Sequence, residues 1–294
     1  MTAFDLCLAW NWQYDADLAA LLESACQQRG LSLLQVTPGN LAGVWRSLLG
    51  GEIVVRALFD RASDEQAPFL ALVDWARAHG VRRINPRERA LRAWDKATMH
   101  AEFARAGLLT PHTLILPPFH RQPEPGALNL VSLGATFVIK PACRGGGLGV
   151  VHSASSMGDV LAARQLYPND HYLLQTRVTP VMLGGRCAWF RVIDCGGELY
   201  PCWWDPQTHV YTPITVEEIG SLGLQPLMVT VHRIATLCGL DLFSTEIALT
   251  ADGRFVSVDY VNDPIDLRLQ SKTPEGVPDV IVRNIARRLV AMLD

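Results

Sequence analysis

A glycine-rich segment between two short apolar runs constrains this chain more than any other feature: T-F-V-I-K-P-A-C-R-G-G-G-L-G-V-V, over residues 136–151. Phe137 to Ile139 are β-forming residues that predict a buried strand, and Lys140 stands at its end. A second β-branched pair, Val150 and Val151, comes after the glycines, so the pattern predicts a hairpin with a mobile tip. Glycines without a Cβ let backbone N–H groups approach an anion closely. A cation fixed beside such a tip suits a polyphosphate.

Two common nucleotide-binding loops are excluded for this segment. The order G-x-x-x-x-G-K-[ST] of a P-loop is absent, and the glycines lead into a strand rather than a helix. A Rossmann fingerprint also needs a helix directly behind its glycines. On its own, a glycine-rich hairpin is equally compatible with a flexible turn. Its function therefore depends on which residues accompany it elsewhere in the chain.

The N-terminal part of the chain alternates strands and helices, which predicts a small parallel sheet with helices on its faces. The predicted strands cover residues 4–10, 31–36, 53–58 and 81–84, and the predicted helices cover 17–28, 40–49 and 66–78. This part carries no glycine fingerprint, so no dinucleotide site is predicted in it. Arg56 is expected at the C-terminal end of its strand, which is the usual ligand edge of such sheets.

A second informative segment, F-S-T-E-I-A-L-T-A-D-G-R-F-V-S-V-D-Y-V-N-D-P over residues 243–264, predicts another hairpin that turns at its Asp-Gly dipeptide. In a tight hairpin Glu246 and Asp259 fall opposite one another, give or take one register step. Like charges opposed across a strand pair are unfavourable unless a cation lies between them. With the amide oxygen of Asn262, the two carboxylates form a hard-oxygen set suited to Mg²⁺ that also holds phosphates. Without the lysine hairpin, the same residues would also fit a solvent-facing polar pair.

Composition excludes several classes of protein. The formal net charge of −3 gives no electrostatic reason to expect a nucleic-acid partner. No apolar run reaches the roughly 18 residues that span a bilayer, and the N-terminus lacks the basic region of a secretory signal. The seven cysteines are scattered without a C-x-x-C pair, so we expect free thiols in a reducing cytoplasm rather than a metal–thiolate site.

Lysine is rare in this chain: only Lys96, Lys140 and Lys272 occur among 26 basic residues. A lysine kept at the end of an apolar strand is therefore a candidate for phosphate contact.

Taken in order, these segments resemble the ATP-grasp superfamily, which includes glutathione synthetase and D-alanine–D-alanine ligase. The resemblance covers roughly residues 85 to 265 and rests on N-P-R-E-R-A-L-R-A-W-D-K, A-R-A-G-L-L-T-P-H-T, V-I-K-P with R-G-G-G-L-G-V, L-L-Q-T-R-V, W-F-R-V-I-D-C-G-G, and Glu246 with V-D-Y-V-N. It implies an α/β and α+β architecture, in which a small parallel-sheet N-terminal domain over residues 1–95 is followed by a two-subdomain ATP-grasp fold over residues 96–294. The lid subdomain would cover about 96–172 and the C-terminal subdomain about 173–294.

Carried over position by position, the resemblance implies a site for Mg²⁺ and ATP. Lys96 and Lys140 would contact the nucleotide phosphates, and Arg191, which with Lys140 forms the catalytic set, would face the transferring phosphate. The backbone N–H groups that would cover the β/γ end belong to Gly145, Gly146, Gly147 and Gly149. Adenine and ribose would be held by Gln175 and by the backbone around Arg177 and Val178. One or two Mg²⁺ ions would be held by Glu246, Asp259 and Asn262. The chain departs from the family where Asp259 replaces the usual glutamate and where Gln175 or Thr176 replaces the usual acidic residue of the hinge.

The implied reaction is an ATP-dependent ligation, in which a carboxylate attacks the γ-phosphate and an amine or thiol then displaces phosphate from the acyl phosphate. A phosphotransferase that uses the same cradle, and a nucleotide-binding scaffold without turnover, are the alternatives. The expected partners are a small acid and an amine, amino acids or peptides above all, and a homodimer is left open. Candidate substrate contacts are Arg56, Arg268, Trp203, Trp204 and the loop from Asn11 to Asp15, and each of them taken singly fits a structural role better than a functional one.

Overall fold

The computed structural model describes residues 1–293 and begins with the predicted parallel sheet, in the strand order β2-β1-β3-β4. Its strands are β1 (Thr2–Trp10), β2 (Leu33–Val36), β3 (Ile53–Arg61) and β4 (Arg82–Ile84). Three helices connect them: α1 (Ala16–Gln28), α2 (Leu41–Leu49) and α3 (Leu70–Ala78). The central strand β1 is buried from Leu6 to Ala9 on both faces, as a parallel sheet covered by helices requires.

Arg56 does not lie at the ligand edge of this sheet, and that prediction was wrong. The strand β3 continues to Arg61, so Arg56 is in its middle. Its Nη1 lies 3.0 Å from Asp5 Oδ1 and its Nη2 donates to the carbonyl oxygen of Leu293 at 2.9 Å, which makes it a structural tie. The end of β3 carries Arg61 instead, which is buried and paired with Asp15 at 2.7 Å.

Two helices and a second sheet come next along the chain. The helices α4 (Arg87–Trp94) and α5 (Lys96–Arg105) lead into an antiparallel sheet of order β5-β8-β6-β7. This sheet consists of β5 (Thr113–Leu116), β6 (Phe137–Pro141), β7 (Val151–Ala154) and β8 (Tyr172–Thr176), with helix α6 (Met157–Leu166) packed on it. The strands β6 and β7 pair antiparallel, so the predicted glycine hairpin is confirmed.

Asn85 fixes the start of α4 against the C-terminal part of the chain. Its backbone is left-handed, with φ 56°, a conformation that asparagine tolerates better than most residues. Its side-chain oxygen accepts from the backbone N–H groups of Asp241 and Leu242 at 2.8 and 2.9 Å, and its amide nitrogen donates to Asp263 Oδ1 at 2.6 Å. One side chain thus joins three segments beside the acidic hairpin.

The C-terminal part contains a larger antiparallel sheet of order β13-β12-β11-β14-β15. Its strands are β11 (Trp189–Cys195), β12 (Glu198–Asp205), β13 (Val210–Pro213), β14 (Leu242–Leu249) and β15 (Phe255–Asn262), and a short ribbon, β9 (Met182–Leu183) with β10 (Arg186–Cys187), precedes them. The helices of this part are α7 (Val216–Ser221), α8 (Gln225–Cys238) and α9 (Asp279–Ala291). The pair β14 and β15 is the predicted acidic hairpin, whereas sequence patterns missed β9, β13 and α7. No helix within residues 1–293 has the length and hydropathy to cross a bilayer.

Candidate active site

The glycine hairpin and the acidic hairpin meet at Lys140. This residue lies near the end of β6, and its Nζ donates to the carbonyl oxygen of Val258 on β15 at 3.0 Å. Burial lowers the pKa of Lys140, and the carboxylates of Asp259 and Glu246 oppose that shift. The two segments that the sequence singled out therefore converge on one cleft.

Glu246 and Asp259 are opposed across β14 and β15, as predicted. They are register partners, and the pairing is irregular on both sides of Glu246. Burial raises the pKa of Glu246, although Arg191 acts in the opposite direction. The pKa of Asp259 is lowered, because Lys96, Lys140 and Arg191 together outweigh the effect of its burial. Two facing carboxylates thus depend on surrounding cations, as their register requires.

Arg191 is the central cation of this arrangement. It lies on β11 opposite Glu246 of β14, and its Nη1 is 3.2 Å from Glu246 Oε1. Its Nε donates to Ser244 Oγ at 3.2 Å. Its Cζ lies 4.8 Å from the ring centre of Trp204 and 5.7 Å from that of Tyr211. The guanidinium is therefore held by a carboxylate, a hydroxyl and two aromatic faces.

Lys96 joins the same cleft from another direction. It is the first residue of α5, whose N-terminus is capped by Asp95, and its Nζ donates to the carbonyl oxygen of Arg144 at 2.7 Å. Arg144 in turn lies 4.4 Å from the ring centre of Tyr167 and pairs with Asp170 at 3.1 Å. The base of the glycine loop is thus anchored to α5, Tyr167 and Asp170, while its tip from Gly145 to Leu148 is exposed.

The predicted adenine-binding residues lie on and just after β8. Gln175 is buried, and its Nε2 donates to Thr113 Oγ1 at 3.1 Å and to Tyr260 Oη at 2.8 Å. Arg177 is exposed and Val178 is half-buried, in the irregular connection beyond the strand. Gln175 is therefore bound within the protein by its amide nitrogen, and the backbone after it remains the more accessible part of the predicted hinge.

The charges and oxygen atoms of the cleft fit a metal-bound polyphosphate. Three cations, Lys96, Lys140 and Arg191, lower the pKa of Asp259, and the nearby amide of Asn262 acts in the same direction. Within residues 1–293 no group of three or more His, Cys, Asp or Glu side chains is placed to hold a metal by itself. Two carboxylates and an amide would need phosphate and water oxygens to complete a coordination shell, which is the usual situation of Mg²⁺ at nucleotide sites.

A cavity of 290 Å³ lies between the N-terminal loop at Gln13 and Tyr14 and the C-terminal segment at Arg268. Two of the candidate substrate contacts meet there, the loop from Asn11 to Asp15 and Arg268. The Cζ atom of Arg268 lies 5.6 Å from the ring centres of both Trp12 and Tyr14. Arg268 also pairs with Asp266 at 2.6 Å, and Asp266 acts electrostatically on Arg191. The lining consists of Gln13, Tyr14, Ala16, Asp17, Arg268, Leu269, Lys272 and Thr273. Of the other candidates, Trp204 packs on Arg191, while Trp203 packs against Phe190 and Arg186.

No protein-family model and no curated protein matches this sequence. Several solved structures match the fold over nearly the whole chain. A RimK domain ATP-grasp protein from Sphaerobacter thermophilus is similar with a TM-score of 0.65 and 17% identity, covering 98% of this chain and 99% of that one. The D-alanine–D-alanine ligase from Bacillus anthracis, complexed with ATP, has a TM-score of 0.64 and 9% identity, with coverage of 100% and 97%. The ATP-grasp ligase PsnB, complexed with a minimal precursor, Mg and ADP, has a TM-score of 0.63 and 12% identity, with coverage of 98% and 97%. The chain therefore has the ATP-grasp fold.

Proposed function

We propose that this protein is an ATP-dependent ligase that joins a carboxylate to an amine or thiol through an acyl phosphate and releases ADP and phosphate. The observation that carries the proposal is the hydrogen bond between Lys140 and Val258, at 3.0 Å. It brings the glycine hairpin next to the paired carboxylates Glu246 and Asp259. The solved structures with the same fold that bind ATP, or ADP and Mg, support the choice of nucleotide.

The roles of the residues follow from their charges and positions. Lys96 and Lys140 would neutralise the phosphates, and the backbone of Gly145 to Gly149 would cover them. Arg191 would stabilise the transferring phosphoryl group, since phosphoryl transfer depends on positioning and charge neutralisation. The hinge backbone at Arg177 and Val178, with Gln175 behind it, would hold adenine and ribose.

Glu246, Asp259 and Asn262 would hold Mg²⁺. When bound, the metal supplies charge neutralisation at the phosphate oxygens and orients them. Their carboxylates already face each other across β14 and β15, so a cation between them relieves a like-charge contact. Closing the glycine loop over the cleft would exclude water from the hydrolysable acyl phosphate.

The acid or its acceptor would bind in the 290 Å³ cavity beside Arg268. Two cations of its wall form ion pairs at 2.6 Å: Lys272 with Asp17, which also lines the cavity, and Arg268 with Asp266 behind it. Paired charges of both signs suit a substrate that itself carries an amino group and a carboxylate. Amino acids and peptides are therefore the substrates to test first.

An ADP-release screen over pairs of amino acids, small acids and peptides tests the proposal. We expect ADP and phosphate release that requires both an acid and an amine, and that is lost in Lys140→Ala. A stable phosphorylated product without free phosphate would indicate phosphotransfer instead. ATP binding without turnover for every mixture would refute catalysis altogether.

A further inference from the structure

Tyr211 lies in the reaction centre without an assigned role. It is on β13, a strand that sequence patterns missed, and it is 4% exposed. Its ring is tilted against Trp204, with ring centres 4.6 Å apart, and lies 5.7 Å from Arg191 Cζ. The charged groups that act on its phenol are Arg191, Glu246 and Asp266. The head of the side chain therefore faces the same cleft as the cations described above.

The hydroxyl of Tyr211 makes no hydrogen bond with any residue from 1 to 293, and its oxygen is not sealed from solvent. Buried tyrosine hydroxyls usually find a partner. Tyr260, on β15 in the same sheet, illustrates the usual case, because its hydroxyl contacts His100 Nδ1 at 2.6 Å and accepts from Gln175 Nε2 at 2.8 Å. Tyr200 of β12 also has a hydroxyl without a partner, but its oxygen is sealed from solvent. The unpartnered hydroxyl of Tyr211 is different because a ligand in the cleft can reach it.

Arg191 keeps a donor for the same ligand. Its Nε and Nη1 are engaged by Ser244 and Glu246, whereas its Nη2 makes no hydrogen bond within the described residues. Burial raises the pKa of Tyr211 to about 12, so the phenol is protonated at neutral pH and acts as a donor. Two donors, the charged guanidinium of Arg191 and the neutral phenol of Tyr211, therefore lie side by side in the cleft.

We propose that Tyr211 is a further catalytic residue, whose hydroxyl donates a hydrogen bond, beside Nη2 of Arg191, to a phosphoryl oxygen of the ligand. Its place in the reaction rests on the proposed ligase function, in which that oxygen belongs to the phosphoryl group in transfer. Donors that are fixed in advance around a negative charge stabilise it without reorganisation at the moment of reaction. The packing of the ring against Trp204 supplies that fixation.

Inorganic phosphate is the probe, because its use does not require the acid or the acceptor to be known. Its binding to the protein saturated with Mg-ADP is measured by isothermal titration calorimetry. Tyr211→Phe removes the hydroxyl and keeps the ring against Trp204 and Arg191. We expect the dissociation constant of phosphate to rise about three- to tenfold, as for the loss of one hydrogen bond, with Mg-ADP affinity unchanged. Equal phosphate affinity in both proteins, or no phosphate binding to the Mg-ADP complex, overturns the inference.

Tyr200→Phe is the matched control. Tyr200 lies on the adjacent strand β12, is also buried, and has Cys195, Glu198 and Arg288 around its hydroxyl, near the turn between β11 and β12. Its variant should bind phosphate as the wild type does, and an equal loss there would overturn the inference by showing a general packing effect. Thermal unfolding of Tyr211→Phe should match the wild type, because no internal hydrogen bond is removed.

The turnover of Tyr211→Phe separates this inference from the ligase function. With an acid–amine pair that drives ADP release, we expect kcat to fall about tenfold or more and KM for ATP to stay unchanged. Failure of every pair would refute ligation while the phosphate titration still decides the role of Tyr211. Unchanged phosphate affinity with full ligase turnover would refute the role of Tyr211 and leave ligation standing.

Discussion

Lys140 Nζ lies 3.0 Å from the carbonyl oxygen of Val258, one residue before Asp259 on β15. The partner is a neutral carbonyl, and burial lowers the pKa of the lysine despite the nearby carboxylates. A phosphate oxygen would offer this ammonium a charged acceptor, and such hydrogen bonds are roughly twice as strong as neutral ones. The contact with Val258 therefore holds the Lys140 ammonium in position until a phosphate oxygen replaces the carbonyl oxygen as its acceptor.

Lys140→Met removes the ammonium while it keeps an apolar side chain of similar length. We expect Mg-ATP affinity to fall about 10- to 100-fold, because hydrogen bonds to charged groups contribute about 1.5–3 kcal/mol. The free energy of unfolding of the ligand-free protein should also fall, because the buried carboxylates of Asp259 and Glu246 lose a neighbouring cation. Calorimetric titration and urea unfolding measure the two quantities. Arg77→Met on α3 removes an exposed cation and serves as the control, and an affinity in Lys140→Met equal to that of this control would contradict the assignment.

Glu246→Gln tests the carboxylate pair. The amide cannot neutralise a metal, so we expect ADP release to be lost at low Mg²⁺ and the Mg²⁺ concentration for half-maximal activity to rise roughly tenfold or more. Stability should fall modestly, because Arg191 and Trp189 donate to different carboxylate oxygens, each at 3.2 Å, and the single amide oxygen can accept from only one of them. The control is Glu198→Gln, an exposed carboxylate on β12 of the same sheet. The same Mg²⁺ dependence in both variants would exclude Glu246 as a metal ligand.

The register of the acidic hairpin was predictable, because its Asp-Gly turn fixes how β14 and β15 pair. Glu246 pairs with Asp259, within the one-step tolerance of the prediction. The irregular pairing on both sides of Glu246 was not predictable, since the residues around it read as a regular strand. Bulges re-aim side chains, so the orientation of the carboxylate depends on a feature that the pattern does not carry.

Arg56 and Tyr211 show two different reasons for failure. Arg56 was misplaced because its strand was ended at Leu58, whereas β3 runs three residues further to Arg61. Tyr211 was missed because β13 has only four residues, too few for a periodic pattern, and comes after a turn in which His209 has φ 57°. Its position beside Arg191 arises from pairing with β12, a tertiary relationship that the local sequence does not encode.

Alanine substitutions at Gly149 and Gly147 distinguish a steric clash from backbone strain in the glycine loop. Both have φ 74°, so alanine at either position carries the same backbone strain of about 1–2 kcal/mol. A Cβ at Gly149 would lie 2.6 Å from Tyr167 Cε2, whereas a Cβ at Gly147 meets nothing within 4 Å. Because Tyr167 is held under Arg144, Gly149→Ala should displace the loop and weaken Mg-ATP binding about fivefold or more beyond Gly147→Ala. Equal affinities in the two variants, measured by fluorescence titration with a labelled nucleotide, would show that Tyr167 does not shape the loop.

Asp194 makes the stability of the protein depend on pH. It lies on β11 and is 1% exposed; its Oδ1 accepts from the Gly197 N–H at 3.1 Å, while its Oδ2 is buried and unpartnered within residues 1–293. Burial raises the pKa of Asp194, although the Gly197 N–H acts against it. The folded state therefore binds the proton more tightly than the unfolded state, where an aspartate has a pKa of about 3.9. The contribution of this group to stability falls as pH rises from that ordinary pKa through the raised one, and is constant above it.

Asp194→Asn has no titrating group at this position, so its stability relative to the wild type should rise with pH and then level off. Urea unfolding at several pH values, starting near the ordinary aspartate pKa of about 3.9 and going upward, gives the difference in the free energy of unfolding. Asp74→Asn on α3 is the control, because that side chain is exposed and pairs only with Arg77 at 3.7 Å among the described residues. Exposed substitutions of this kind change stability little, so its difference from the wild type should stay flat. A flat difference for Asp194→Asn as well would mean that the carboxylate remains ionised in the folded protein and that its buried oxygen is solvated by other means.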